Sequence, residues 1–283
     1  MPSQRDIRRR INASKNIRQI TRAMQFVAAS KLRRAQESTL AARPYSDLID
    51  EILADLAAVL GADEHPLLSR RQEGKRLIIL VTSDRGLAGP LNTNAVRFVS
   101  KEVIEHAGDL EMVTIGRKGR DAMRRARVPI IAHFAGFGDR PSVDDILPLA
   151  RLISDEYEAG TYNDVDIVFT RFVSTLVQRA DMVQLLPIRP SSDTHGVPGS
   201  QFIFEPAPEV VLNELLPRYL VTRLYQTALE STASFFSSQM VAMKSATENA
   251  SELIDDLTLS YNKARQANIT SELIEIASGA QAR

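Results

Sequence analysis

The sequence predicts an α/β domain with a mainly parallel sheet, flanked by two long terminal helices that pair as an antiparallel coiled coil. Two observations lead to this fold class. Apolar residues recur every three or four positions through residues 1–60 and again through residues 209–283, which is the spacing of one helix face. Between these stretches, β-branched apolar runs alternate with helical segments, as they do in parallel α/β sheets.

The first helix is predicted to begin near Ser3, because Asp6 follows it at the spacing of a helix cap. Pro44 is the internal breaker of this helix, so we expect a kink or a short interruption there. A helix over residues 3–59 is roughly 85 Å long at about 1.5 Å per residue, which is too long for a compact domain. Its predicted apolar stripe consists of Ile7, Ile11, Ile17, Ile20, Met24, Val27, Ala28, Leu32 and Ala35.

The first helix is strongly basic, although the net charge of the chain is zero. Residues 1–36 contain one acid, Asp6, and ten basic residues: Arg5, Arg8, Arg9, Arg10, Lys15, Arg18, Arg22, Lys31, Arg33 and Arg34. Such a helix fits an acidic partner surface, nucleic acid or anionic lipid, and it equally fits a solvated helix face. Nucleic acid is disfavoured because a single aromatic residue, Phe26, lies among the basic ones.

The middle of the chain alternates between strands and helices. Strands are predicted at 76–82, 110–115, 128–132, 165–172 and 182–188, and helices at 92–106, 117–125 and 143–158. This order predicts a Rossmann-like α/β domain over residues 75–190, followed by a Pro- and Ser-rich loop from Pro190 to Pro208.

The last helix is predicted from Glu209 to about Ala277. Its apolar and small residues recur about every 3.6 positions, closer to a straight helix than to the 3.5 of a strict coiled coil. The predicted stripe is Leu220, Leu224, Ala228, Ser231, Phe235, Ser238, Ala242, Ala246, Ala250, Leu253, Leu257, Ser260, Ala264 and Ala267. Because a helix with one apolar stripe is not stable alone, residues 1–60 and 209–283 are expected to pair as one shaft. The alternative is two separate helices packed on the α/β domain.

Composition and motifs argue against most kinds of chemistry. The chain has no Cys, its four histidines (His65, His106, His133 and His195) are scattered, and no P-loop, GxSxG or complete GxGxxG pattern is present. We therefore expect neither a metal site nor a cofactor. No run approaches the roughly 20 apolar residues that span a bilayer, so membrane association is expected to come through a partner.

The loop from Ser83 to Gly89 is the best local candidate for ligand binding, because it follows the first strand at the sheet edge where α/β domains bind ligands. Ser83, Asp84 and Arg85 could grip a phosphate or a carboxylate. The structural interpretation, which we favour, is a turn capped by Asp84 in which glycines, Gly86 among them, adopt positive φ.

Three stretches of the chain carry a family resemblance. The first contains Arg5, Asp6, Ile7, Asn12, Lys15, Thr21, Arg22, Met24, Ala28, Ser30 and Leu32; the second is Ser83-Asp84-Arg85-Gly86-Leu87 with Gly89, Leu91 and Asn92. The third runs from Met240 through Lys244, Asn249, Tyr261, Asn262, Lys263, Gln266 and Thr270 to Leu273. Together they resemble the gamma subunit of F-type ATP synthase, in its bacterial form because no presequence precedes them.

This resemblance implies a central-stalk rotor subunit that is not itself catalytic. Its expected partners are the alpha and beta subunits of the catalytic hexamer, the epsilon subunit and the membrane ring of c subunits. Proton flow through that ring would turn the helix pair and change the state of each beta subunit. The expected location is peripheral, on the cytoplasmic face of the cell inner membrane. The alternative is a nucleotide-binding α/β enzyme that uses the Ser83–Gly89 loop.

The resemblance also implies particular contact residues. Met24, Gln266 and Thr270 match positions of the family that contact a beta subunit. Phe235 and Gln239 stand where the family usually has Glu and Arg, so a contact in that region is expected to be altered.

Overall fold

The computed structural model describes residues 3–60, 65–69, 71, 73–105, 109–189, 202 and 204–281, without the side chains of residues 57, 58, 272 and 275–281. Its helices are α1 (Gln4–Leu60), α2 (Leu91–Glu105), α3 (Arg117–Arg125), α4 (Val143–Glu158) and α5 (Pro208–Gln281). Its strands are β1 (Lys75–Val81), β2 (Leu110–Ile115), β3 (Ile130–Phe134), β4 (Tyr162–Phe172) and β5 (Gln178–Leu186). Most of the predicted Pro190–Pro208 loop lies outside the described residues, as do His106 and His195.

The chain forms two compact units, and each of the two long helices contributes to both. We call residues 1–28 with 239–283 the helix-pair unit, and residues 29–238 the sheet unit. The predicted fold class of long terminal helices around a mainly parallel sheet is confirmed. No helix in the described part of the chain is long and apolar enough to cross a membrane.

In the helix-pair unit, the start of α1 runs antiparallel to the end of α5. The Gln4 side chain donates to the carbonyl oxygen of Ala264 at 3.3 Å, while the hydroxyls of Thr21 and Thr247 lie 2.8 Å apart. As residue numbers increase along α1, the numbers of their partners on α5 decrease, so the two helices run in opposite directions. Ile7, Ile11 and Ile254 are buried together between them, which confirms the predicted antiparallel pairing.

The spacing of the buried face differs from the predicted 3.6 residues. Along α5 from Met243 to Ala264, Ala246 and Ser251 are half-buried, and the other buried and half-buried positions, Met243, Thr247, Ala250, Ile254, Leu257, Tyr261 and Ala264, alternate steps of four and three. This is the heptad spacing of a coiled coil. The predicted stripe placed Leu253 and Ser260 on this face, but both are exposed, and their neighbours Ile254 and Tyr261 take the inward positions. Apolar character alone did not distinguish Leu253 from Ile254.

The buried face at the start of α1 also differs from the predicted stripe. Ile17, Ile20 and Val27 were predicted on the buried stripe, but they are 52%, 59% and 53% exposed. The inward positions nearby are Ser14, Thr21 and Ala28, which keep the heptad spacing. At these three positions small or hydroxyl-bearing residues face the partner helix, while the larger Ile17, Ile20 and Val27 remain on the surface.

Both prolines inside the long helices are accommodated without a break. Pro44 lies within continuous α1 and Pro217 within continuous α5, so the possible interruption at Pro44 is not found. Pro44 is exposed, which leaves water free to solvate the carbonyl group that loses its backbone donor.

The sheet unit contains one five-stranded sheet in the order β3-β2-β1-β4-β5. Strands β1 to β4 are parallel, and β5 pairs antiparallel with β4. The predicted bounds of β2, α3 and α4 are correct, whereas β3 begins two residues later than predicted and β5 begins four earlier. Val128 belongs to the turn that ends α3, where its amide donates to the Met123 carbonyl oxygen at 3.1 Å.

Both faces of the sheet are covered, as the continuous apolar run of β1 requires. Leu77 and Ile79 point to one face, where they pack with α4 and with the parts of α1 and α5 in this unit. Ile78 and Leu80 point to the other face, against α2 and α3. The long helices thus pair in one unit and pack on the sheet in the other, so both interpretations of the terminal helices describe part of the molecule.

Candidate functional site

The carboxyl ends of β1, β2 and β3 come together with the loop that follows β1. Gly116, between β2 and α3, can only be a glycine, because its φ is 88° and an added Cβ would lie 2.1 Å from the carbonyl oxygen of Thr82. Gly119, within α3, packs closely as well, and its amide donates to the Thr82 hydroxyl at 2.8 Å. These contacts fix the start of α3 against the end of β1.

Asp84 fills the position where a phosphate would bind in such a domain. Its two carboxylate oxygens accept the amide of Arg117, the first residue of α3, at 2.9 Å and the amide of Gly136, after β3, at 3.0 Å. Helix N-termini favour anions because their first amides lack backbone acceptors. In this chain the anion is a side chain of the protein itself, which weakens the interpretation of the loop as a nucleotide site.

The other residues of the loop also have partners within the chain. The Ser83 hydroxyl donates to the carbonyl oxygen of Arg85 at 2.6 Å, and Asn92 donates to that hydroxyl at 2.8 Å. The Arg85 guanidinium lies 3.6 Å from the carboxylate of Asp139. The loop therefore has the bonding of a structural turn, with Asp84 capping α3.

The left-handed positions of this turn differ in part from those predicted. Gly89 has φ 53°, as a glycine in the turn was expected to have. Gly86 does not have a positive φ, and the other left-handed residue of the turn is Leu87, with φ 63°. Leu87 is also 62% exposed, so the turn holds a large apolar side chain in solvent.

Helix α5 covers the carboxyl edge of the sheet. A cavity of about 350 Å³ remains there, lined by the strand ends, the loop after β3 and the α5 residues Ala228, Ser231, Thr232 and Phe235. This is the edge at which α/β domains bind ligands. In this chain α5 lies against that edge, where it contacts Thr170 and Ala88.

The predicted contact residues fall in different surroundings. In the helix-pair unit, Gln266 and Thr270 are exposed one turn apart on α5, and the Thr270 hydroxyl donates to the Gln266 carbonyl oxygen at 2.9 Å. Met24 and Gln239 are half-buried in the same unit. Phe235 belongs to the sheet unit and is 9% exposed, with its ring 5.3 Å from that of Phe236 in an edge-to-face contact.

Within residues 4–28 of α1, the basic side chains are exposed, and most have no acidic partner in the described part of the chain. Arg9 pairs with Asp6 at 3.0 Å. The exposed basic residues that form no described ion pair are Arg5, Arg8, Arg10, Lys15, Arg18 and Arg22. In the helix-pair unit, positive charge is therefore available to a partner.

The most buried ionic cluster lies near the start of β1, away from the carboxyl edge. Arg76 donates to Asp166 at 2.7 Å and to Glu102 at 2.9 Å. Burial raises the pKa of Asp166, and the hydrogen bond and charge of Arg76 oppose that rise. The cluster joins one guanidinium to two carboxylates and links β1, α2 and β4, which is a structural role. Among the residues that the structure describes, no group of three or more acidic or His side chains could hold a metal ion.

Comparison with known families agrees with this description. The family model described as ATP synthase matches residues 3–282. The ATP synthase gamma chain of Desulfitobacterium hafniense is 45% identical over 100% of this chain and 99% of its own length. The chain belongs to the ATP synthase gamma chain family. The gamma chains of Pelotomaculum thermopropionicum and Roseiflexus castenholzii are 44% and 46% identical over 100% of this chain and 99% of their own lengths.

Solved structures share the fold. A chain of the rotor of the Euglena gracilis mitochondrial ATP synthase in rotational state 1 superposes with a TM-score of 0.68 at 17% identity, over 94% of this chain and 98% of that chain. A chain of the OSCP, F1 and c-ring assembly in rotational state 3 gives 0.70 at 18% identity, over 99% and 94%. The predicted resemblance to the gamma subunit is confirmed.

Sequence reasoning missed several residues that hold the long helices in the sheet unit. They are Lys31, Asp139, Ser234 and Ser237, whereas Ser238 was predicted on the inward stripe but without its partner. A sequence signal existed for the serines, because the predicted stripe included Ser231 and Ser238. Nothing in the sequence paired Lys31 with Asp139.

Proposed function

We propose that the chain is the central-stalk rotor subunit of a bacterial F-type ATP synthase and has no catalytic site of its own. The helix pair would turn within a hexamer of alpha and beta subunits and carry each beta subunit through its nucleotide-binding states. The proposed coupling is mechanical, since a turning asymmetric helix pair makes different contacts with successive states of a partner.

The observation that carries this proposal is the antiparallel helix pair together with membership of the gamma chain family. A helix pair whose interface includes small residues such as Ser14, Thr21 and Ala28 can be slim enough to turn inside a partner. Its exposed surface carries both unpaired basic residues and apolar residues such as Ile17 and Ile20. Such a surface fits a partner with acidic loops and an apolar collar.

Gln266, Thr270 and Met24 are proposed to contact the beta subunits. Gln266 and Thr270 suit this role because they are exposed on the same side of α5. Phe235 is buried in its own unit, so a contact in that region would fall to the half-buried Gln239.

The proposed assembly places the protein on a membrane without inserting it. The epsilon subunit and the c ring are the expected partners of the sheet unit, and the alpha and beta subunits those of the helix pair. The chain would then be a peripheral subunit of a membrane-bound complex, on the cytoplasmic face of the cell inner membrane. Nucleic acid is not an expected partner.

Affinity purification of the tagged chain from native membranes tests this proposal. We expect the alpha, beta and epsilon subunits and the c ring to be recovered with it in fixed proportion, together with ATPase activity. Recovery of the chain only as a free monomer would contradict the proposal. Calorimetry of the isolated chain with ATP and ADP tests the alternative enzyme, and we expect no saturable binding because Asp84 occupies the start of α3.

A further inference from the structure

We infer that three serines of α5 and one lysine of α1 form an anchor that fixes both long helices in the sheet unit against turning forces. The anchor residues are Ser234, Ser237, Ser238 and Lys31. This inference rests on the proposed rotor function and names the contacts through which torque passes between the long helices and the sheet.

The three serines bind three separate segments of the sheet unit. The Ser234 hydroxyl donates to the carbonyl oxygen of Thr170 in β4 at 2.8 Å. The Ser237 hydroxyl donates to Thr175, in the β4–β5 hairpin, at 2.7 Å, and that of Ser238 donates to Ala88, after β1, at 2.7 Å. Because the three carbonyl groups belong to different segments, the bonds oppose both sliding and rotation of α5.

These bonds differ from the usual behaviour of hydroxyls in a helix. A helical Ser or Thr commonly donates to the carbonyl oxygen four residues earlier. Thr227 and Thr232 of the same helix do so, at 2.9 Å and 2.8 Å. The hydroxyl groups of the three anchor serines instead donate to acceptors outside α5. Ser234 and Ser237 are fully buried, with 0% of each exposed.

Lys31 fixes the first helix to the opposite side of this part of α5. Its ammonium group pairs with the carboxylate of Asp139, in the loop after β3, and lies 5.5 Å from the ring centre of Phe236. Phe236 is about 200° around the helix from Ser234 at 3.6 residues per turn. Asp139 also pairs with Arg85 at 3.6 Å, which joins the Lys31 contact to the loop after β1.

The anchor lies where both helices leave the sheet unit. Ser238 is the last residue of that unit on α5, and Lys31 lies just after its first residue on α1, Ala29. A turning force carried along the helices reaches directional polar contacts here first. The close packing of α5 in the core resists its displacement, and the hydrogen bonds and the ion pair add contacts of fixed geometry at this end of the unit. The anchor therefore couples rotation of the helices to rotation of the sheet.

The test compares ion pumping with ATP hydrolysis in the complete ATP synthase reconstituted into vesicles. The variant carries Ser234→Ala, Ser237→Ala and Ser238→Ala, which remove the hydroxyls and keep good helix formers. The matched control carries Ser245→Ala, Ser251→Ala and Ser260→Ala on the same helix, outside the anchor. We expect proton pumping per ATP hydrolysed to fall by more than half in the anchor variant and to stay unchanged in the control.

This ratio separates anchoring from stability. A loss of folded or assembled protein lowers pumping and hydrolysis by the same factor and leaves their ratio unchanged, and that outcome would overturn the inference. Lys31→Gln should lower the ratio too, and Lys31→Arg should preserve it by keeping the charge. If Lys31→Gln and wild type pump the same number of protons per ATP hydrolysed, Lys31 is not part of the anchor.

A covalent lock provides a second test, since the chain contains no cysteine of its own. Lys31→Cys with Asp139→Cys, joined by a short bismaleimide, should restore the ratio that Lys31→Gln loses, because the anchored parts turn as one body. Loss of pumping and hydrolysis on cross-linking would contradict the inference. If the wild-type chain neither assembles nor pumps, the proposed function fails; if it pumps and the anchor variants keep its ratio, only the anchor fails.

Discussion

Replacing Asp84 with Ala should destabilise the sheet unit by about 3 kcal/mol. The change removes the acceptor of two backbone amides, those of Arg117 at 2.9 Å and Gly136 at 3.0 Å. Loss of a helix cap costs about 1 kcal/mol and loss of a hydrogen bond to a charged group about 1.5–3 kcal/mol. Water reduces this cost, since the Asp84 side chain is 23% exposed.

Urea unfolding of the full chain, followed by circular dichroism, measures this effect. Asp84→Asn is the matched variant, because its one carbonyl oxygen can accept one of the two amides, and we expect it to lose about half as much stability. If the free energy of unfolding of Asp84→Ala lies within about 0.5 kcal/mol of the wild-type value, the carboxylate does not hold the strand ends together. The structural interpretation of the loop would then be wrong.

Three further predictions concern single positions. Ile254→Ala should destabilise the helix-pair unit by about 2–4 kcal/mol, and the adjacent Leu253→Ala by less than about 1 kcal/mol, since Ile254 is 7% exposed and Leu253 is 50% exposed; equal losses in thermal unfolding would contradict the heptad. Arg127→Gly should stabilise the chain by about 0.5–1 kcal/mol in urea, because Arg127 has φ 59° at the end of α3; lower stability would show that the arginine side chain contributes more than its backbone costs. Hydrogen bonds from Lys75 and a buried tyrosine hold the pKa of the Glu111 carboxyl below its ordinary value. Its charged form therefore stabilises the fold at neutral pH, and this contribution is lost as the pH falls through the lowered pKa. Glu111→Gln should lose less stability than wild type between about pH 7 and pH 3, and identical acid profiles would refute that role.

The sequence predicted elements best where one periodic signal dominates. The apolar run of β1 was placed to within a residue, because burial on both faces leaves few alternatives. The predicted bounds of α4 agree with the structure, in which the side chains of Ser142 and Asp145 form a capping box at its start. β3 was placed two residues early, because Val128 is as strand-like as its neighbours and its role in the turn after α3 depends on a backbone bond to Met123. A backbone hydrogen bond of this kind cannot be predicted from the residue types in the segment.

The face of a long helix was harder to predict than its existence. Ile17 and Ile20 are better candidates for a buried stripe than Thr21, yet Thr21 faces the partner helix. Where two helices are in close contact, small residues are favoured at the interface, and here Ile17 and Ile20 lie on the surface. A single helix considered alone cannot show which face its partner covers.

The candidate site was predicted in position but only in part in chemistry. Asp84 was expected to cap its own turn, and it instead caps α3, which lies more than 30 residues further along the chain. The anchor depends on similarly long-range pairs, such as Ser238 with Ala88. Contacts of this kind follow from the topology of the sheet, which brings the strand ends together, and no spacing within a motif encodes them.

Rotation of the protein within its assembly is the most direct test of the proposed function. The chain, labelled with a bead at an introduced cysteine on the sheet unit, would be assembled with alpha and beta subunits fixed to a surface and supplied with ATP. We predict stepwise rotation of the bead in one direction, at a rate that follows ATP hydrolysis. Hydrolysis with a stationary bead, in complexes shown to contain the labelled chain, would contradict the rotor function.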